Sequence, residues 1–133
     1  MRYLLDTNIC IYIAKRKPET VLARFERLRP GDVGMSVITY CELVYGAQKS
    51  QHTAQNMARI EELDQLVPAL PLDRTTASQY GRIRAELEPK GSPIGAYDLL
   101  IAAHALSFNL VLVTNNTREF GRIAGLKLEN WVE

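Results

Sequence analysis

The chain lacks several features that would each have set its class. It has no apolar run approaching the roughly 18 to 20 residues that cross a bilayer, and its amino terminus reaches Asp6 after only Tyr3, Leu4 and Leu5. That pattern predicts neither a signal peptide nor an anchor, no membrane association, and a cytoplasmic location. Cysteine is scarce: Cys10 and Cys41 are the only two, each inside an apolar helical pattern and far from any histidine at ligand spacing. A disulfide framework and a zinc site are excluded, and both thiols are expected as reduced packing residues. An excess of charge is missing too, since 16 basic and 15 acidic residues leave a net charge of +1. This balance fits neither a polycationic coat for DNA nor an acidic solvating chain, so any nucleic-acid contact must be local. The serine-hydrolase elbow, the P-loop and the dinucleotide fingerprint are all absent, and with them their chemistries.

What the 133 residues do contain, at 47% apolar and 23% charged, is enough to bury a real core, and one domain spanning residues 1–133 is expected. Tyr3 to Leu5 reads as a strand followed by a brief helix, Ile9 to Ala14. Pro18 suits the first position of a helix over Glu19 to Leu28, and Val33 to Ser36 reads as a second strand. From Val37 to Ala47 the apolar positions 37, 38, 41, 44 and 45 share one arc of a helix, and Ser50 is placed to cap the next, which runs to about Leu66. Val67 to Leu72, interrupted by Pro68 and Pro71, predicts a weak edge strand. A helix from Thr75 to Leu87, a loop over residues 89–95, an apolar helix from Ala96 to Leu106 and a buried strand from Leu110 to Val113 follow. A short strand around Leu126 to Leu128 ends the series, with Trp131 covering an end of the core. Strands alternating with helices predict an α/β fold, a mostly parallel sheet flanked by helices on both faces.

In such a sheet ligands bind at the carboxyl ends of the strands, where the crossover helices also begin. Asp6 follows the first strand directly. Glu42 lies six residues after Ser36, only the second turn of its helix at about 1.5 Å per residue. Asp98 opens the helix that precedes the 110–113 strand, and Asn115, Asn116 and Glu119 leave that strand's far end. Each acid also has an ordinary structural role open to it. Asp6 suits a helix cap, Asp98 the positive end of a helix dipole, and Glu119 a surface ion pair with Arg118 or Arg122. Glu42 is the only charged residue between Met35 and Ala47 and sits about 40° from Ile38 around the helix.

Four acids on one rim would repel one another and raise each other's pKa unless a cation neutralised them. A donor set of oxygens, without paired Cys or His, selects a hard ion, Mg²⁺ or Mn²⁺ rather than zinc. Such an ion activates a water and offsets charge on a phosphate, so hydrolysis of a phosphate ester is the implied reaction. Two alternatives stay open at this point: a Mg²⁺ phosphatase or phosphoacceptor domain, and a binding module without catalysis. Asn8, where haloacid-dehalogenase-type phosphatases carry a second Asp, speaks against the first. Neither His52, in a polar connection, nor His104, about 240° around the helix from Asp98, is placed for catalysis.

Four ordered blocks, Leu4-Leu5-Asp6-Thr7-Asn8, Ser36 to Ala47 with Glu42-Leu43 and Tyr45-Gly46-Ala47, Gly91 to Asp98, and Val113 to Phe120, resemble those of PIN-domain ribonucleases, specifically the VapC toxins of type II toxin-antitoxin systems. The resemblance covers most of the chain. It implies a PIN-like three-layer sandwich, Asp6 and Asp98 as magnesium ligands, Glu42 as a further acid, and Glu119 or Asn116 at the fourth corner. Thr7, Asn8 and Thr114 take supporting hydrogen-bond roles. It also implies RNA cleavage, with initiator tRNA cut in its anticodon stem-loop, neutralisation by a VapB-like antitoxin, and a homodimer. Lys15, Arg16, Lys17, Arg82, Arg84, Lys90, Arg118 and Arg122 are candidates for holding the RNA backbone, and Tyr97 for stacking on an unpaired base. The helices over 37–47 and 54–66 offer apolar surface to a protein partner.

Overall fold

A computed structural model describes residues 1–91 and 94–133; Ser92 and Pro93, part of the expected 89–95 loop, lie outside the described residues. Five short strands make one sheet: β1 (Tyr3–Leu5), β2 (Val33–Ser36), β3 (Ala69–Leu70), β4 (Val111–Val113) and β5 (Leu128–Glu129). Their order is β3-β2-β1-β4-β5, and every adjacent pair is parallel. The helices are α1 (Thr7–Lys15), α2 (Glu19–Glu26), α3 (Val37–Gln48), α4 (Thr53–Leu66), α5 (Arg74–Leu87), α6 (Ala96–Ser107) and the single turn α7 (Thr117–Phe120).

Successive residues of a strand point to opposite faces, so a strand covered on both sides must be apolar throughout. Leu4 and Leu112 enter one core with Ile83 and Leu87 of α5, Leu99 and Ile101 of α6, and Phe120. Tyr3, Leu5 and Val113 enter the other with Ile9 and Ile13 of α1, Val21 of α2 and Leu63 of α4. The α/β three-layer arrangement expected from the sequence is therefore present. Trp131 closes the second core, fully buried and edge-on to Tyr3 at 5.5 Å between ring centroids.

The chain builds outward from β1 through β2 to β3, then returns to add β4 and β5 on the other side. The direction reverses between β1 and β4, and a crevice opens at the carboxyl ends of strands on either side of such a reversal. Asp6 hydrogen-bonds through its backbone N–H to the Val113 carbonyl at 3.0 Å, so the two strand ends that frame the crevice are tied together. Short polar side chains then start the helices. Asp6 accepts from Ile9 N at 3.0 Å, Ser36 from Ile38 N at 3.1 Å and Asp73 from Thr76 N at 3.0 Å, each satisfying an N–H that the first turn leaves free.

The sequence reading of α3 needs correction. Its inward side is Thr39, Tyr40, Leu43 and Ala47, whereas Cys41 and Tyr45 are exposed. Cys10 is a buried packing residue as expected; Cys41 is not. Hydroxyl pairing sets the rotation: Ser36 Oγ lies 2.8 Å from Nδ1 of the buried His104, and Thr39 Oγ1 lies 3.2 Å from Thr7 Oγ1. Of the apolar arc, Ile38 packs against the other core while Cys41 and Tyr45 face outward, so periodicity placed only part of it. Three smaller differences follow local hydrogen bonding. Pro18 precedes α2 instead of opening it. Ser50 holds the α3–α4 turn by accepting from His52 N and Asn56 Nδ2, with α4 starting at Thr53. β5 falls two residues later than expected, set by its register against Leu112 and Val113.

Leu112 is fully buried at the centre of the sheet. Leu112→Ala is expected to lower the unfolding free energy by about 2–5 kcal/mol, measured by urea denaturation; a loss below about 1 kcal/mol would mean that this core is not packed as described.

Candidate active site

The crevice holds a small polar pocket of about 150 Å³ lined by Asp6, Thr7, Asn8, Glu42, Asp98 and Asn116, with Phe120 as its apolar wall. Four helices, α1, α3, α6 and α7, contribute to it, together with Asp6 and Asn116 at the amino ends of α1 and α7. Asp6 sits at the end of β1, 6% exposed, and the same carboxylate that caps α1 faces the pocket.

Glu42 is half-buried on the second turn of α3. It accepts a hydrogen bond from Thr7 Oγ1 at 2.7 Å, which fixes its carboxylate against α1. Thr39, one turn before Glu42, approaches the same hydroxyl at 3.2 Å. Asp98 stands in the first turn of α6. Beyond β4, Asn116 N donates to Thr114 Oγ1 at 3.0 Å, and Asn116 Nδ2 donates to Glu119 Oε2 at 2.9 Å. Asn116 lines the pocket and Glu119 stands behind it, on the α7 turn that the sequence reading left as loop. Asn115 turns away toward the Tyr12 hydroxyl.

Electrostatics sets these residues apart from ordinary surface acids. Burial pushes the Asp98 carboxyl up to about 6, reinforced by the negative charges of Glu119, Glu42 and Asp6 in that order. Asp6 is also raised, first by burial and further by Glu42, while the Thr114 hydroxyl and the backbone N–H groups of Ile9 and Asn8 oppose the shift. Among the described residues the ion pairs are Arg24–Glu129, Arg82–Glu86 and Arg84–Glu88, so no cationic side chain neutralises the pocket acids. Two of the expected RNA-binding arginines are thus engaged along α5. Lys15, Arg16 and Lys17 line a separate groove at the far end of α1.

The donors are all oxygen and the charge is uncompensated, which suits a hard divalent ion. Among the described residues, no three His, Cys, Asp or Glu side chains form a preformed ligand cage. Sequence reasoning missed Thr39 and Phe120. Thr39 carried a signal, as a hydroxyl residue one turn from Glu42 in an apolar helix; Phe120 carried none.

The raised carboxyls give a pH signature. Between the ordinary Asp value, about 3.9, and about 6, folded Asp98 holds a proton that the unfolded chain has released. Its contribution to stability therefore falls as pH rises through that window and stays unfavourable above it. In chelator-treated protein, Asp98→Asn is expected to raise Tm at pH 7 and to lose that advantage near pH 4. A Tm difference independent of pH, or of opposite sign, would contradict the crowding of charge.

Comparison with known proteins agrees with this geometry. The PIN domain family matches residues 3–126. The tRNA(fMet)-specific endonuclease VapC of Shigella flexneri is 47% identical over 131 residues, 98% of each chain. Ribonuclease VapC2 of Haemophilus influenzae is 46% identical over 132 residues, 99% of each. Among solved structures, the toxin chain of DNA-bound VapBC from Salmonella typhimurium superposes with a TM-score of 0.92 at 46% identity and 98% coverage of both chains. With nucleases throughout these relatives, the phosphatase and non-catalytic alternatives fall away. With a fold shared over nearly its full length with these enzymes and a PIN domain over residues 3–126, this chain belongs to the VapC family of PIN-domain ribonucleases.

Proposed function

We propose that this chain is a Mg²⁺-dependent endoribonuclease whose substrate is initiator tRNA, cut in the anticodon stem-loop, and that it acts in the cytoplasm as the toxin partner of a VapB-like antitoxin. The observation that carries the reading is the pocket's uncompensated charge: Asp98 pushed up to about 6 by burial and by three other acids, with no cation among the described side chains to answer them. Support for the substrate comes from the names of the Shigella and Salmonella relatives, both tRNA(fMet)-specific endonucleases.

Asp6 and Asp98 would hold the ion, Mg²⁺ or Mn²⁺, which when bound would supply charge compensation for the scissile phosphate and a more nucleophilic water at neutral pH. Glu42, fixed by Thr7, orients the attacking water. Asn116 contributes a neutral amide to the fourth corner, and Glu119 acts from behind it, anchoring that amide and adding negative charge. Thr114 and Asn8 hold the Asp6 carboxylate. The antitoxin suits the groove of about 720 Å³ between α1, α2 and α4, where Leu22, Phe25 and the exposed Leu66 line an apolar floor beside Lys15 and Arg16. Relatives of this chain are seen as VapBC complexes. Association of two toxin chains is a further part of the proposal.

Incubation of antitoxin-free protein with total cellular RNA, with and without Mg²⁺, followed by mapping of new ends, tests the reading. Mg²⁺-dependent cuts in the initiator tRNA anticodon loop are the expected result; cleavage that ignores chelator, or ends elsewhere, would refute the metal or the substrate respectively. Asp6→Asn and Asp98→Asn are each expected to lower the rate by roughly a hundredfold or more with the fold retained. Glu119→Gln is expected to act more weakly. A folded Asp98→Asn protein with full activity would remove that residue from the centre.

A further inference from the structure

Beside the acidic pocket, on its α3 side, lies a second cleft of about 630 Å³. Thr7 and Glu42 line both. The two spaces differ in chemistry. Where the first is small and polar, the second is walled by Ile38, Cys41 and Tyr45 of α3 and Tyr97 of α6. Two large aromatic rings stand in water here: Tyr45 is 66% exposed and Tyr97, next to Asp98 in sequence, 62%. Lys49 Nζ lies 4.9 Å from the centroid of the Tyr45 ring, a cation held at the cleft edge by an aromatic face.

A scissile phosphodiester never arrives alone, because its two ester oxygens carry nucleosides. A phosphate placed against Asp6 and Asp98 must lay its neighbours over the adjoining surface, and the first pocket has no room for them. The second cleft shares a wall with it and falls within the roughly 300 to 1,000 Å³ of small-molecule sites. We infer, on the basis of the ribonuclease reading above, that this cleft is a nucleobase subsite. An unpaired base flanking the scissile phosphate stacks on Tyr97 and packs against Ile38 and Tyr45, while the Lys49 ammonium faces the adjoining backbone phosphate. A base locked in a duplex cannot reach these rings, so the subsite restricts cleavage to loops and single strands. The ion and the acids perform the chemistry; the tyrosines decide which phosphates reach them.

Cys41 makes the cleft directly observable. It is exposed within the cleft wall, whereas the Cys10 thiol is fully buried and pushed up by burial and by Asp6. Maleimide labelling therefore reads Cys41. In Glu42→Gln protein with Mg²⁺, which keeps both metal-holding aspartates, a short unstructured RNA oligonucleotide is expected to slow labelling severalfold, the same sequence in a duplex to have no effect, and Tyr97→Ala to abolish the protection. In the otherwise wild-type enzyme, Tyr97→Ala and Tyr45→Ala are expected to raise KM about five- to a hundredfold with little change in kcat, and Tyr97→Phe to keep the wild-type KM. RNA that binds, by fluorescence anisotropy, without protecting Cys41 would overturn the subsite and leave the ribonuclease intact. Labelling already blocked in free protein and restored by dilution would overturn it in favour of a second copy of the chain. Failure of both RNA binding and wild-type cleavage would overturn the ribonuclease reading itself, and the subsite with it.

Discussion

Like charges held together without an answering cation are the constraint around which this molecule is arranged. Asp6, Glu42, Asp98 and Glu119 come from four different segments, and each is placed by backbone structure that leaves it little freedom to retreat. Asp98 bears the consequence most plainly, its carboxyl pushed up to about 6. A fold selected for stability alone would spread these groups or pair them with lysines and arginines. The basic residues instead pair elsewhere, as Arg82 and Arg84 do along α5. Electrostatic strain gathered at one rim marks a candidate functional site.

The topology leaves few other places for that site. Reversal of strand order between β1 and β4 opens one crevice, and the amino ends of α1, α3 and α6 converge on it. The small residues that start those helices serve two purposes: Asp6 caps α1 and faces the pocket, and Ser36 caps α3 while meeting His104 on α6 at 2.8 Å. That buried contact ties the helix bearing Glu42 to the helix bearing Asp98. Burial holds the His104 ring below its ordinary pKa, against an opposing backbone hydrogen bond at Pro71, so it serves as a neutral strut.

Much of this was legible in the sequence because the central strands must be apolar on both faces. Leu4-Leu5 and Leu112-Val113 identified themselves, and strand ends then located Asp6 and Asn116 without any knowledge of side-chain contacts. Periodicity failed where polar contacts override it. Of the apolar arc of α3, Ile38 packs against the core while Cys41 and Tyr45 face solvent, and Ser36–His104 and Thr7–Thr39 hold the helix in that rotation. The separation of Asn116 from Glu119 could not be read either, since it depends on the α7 turn, four residues long with too little pattern to register. The exposed part of that arc is informative, because an apolar surface beside a charged pocket is what a nucleobase needs.

Calorimetric titration of chelator-treated protein with Mn²⁺ at pH 6, in buffers of different ionisation enthalpy, tests the shared origin of the charge and the chemistry most directly. Ligation must displace the proton that Asp98 partly retains at that pH. Saturable binding with release of a fraction of a proton is expected, and loss of both in Asp98→Asn. Absence of saturable binding, or binding without proton release, would contradict the claim that these acids are crowded in order to hold a metal.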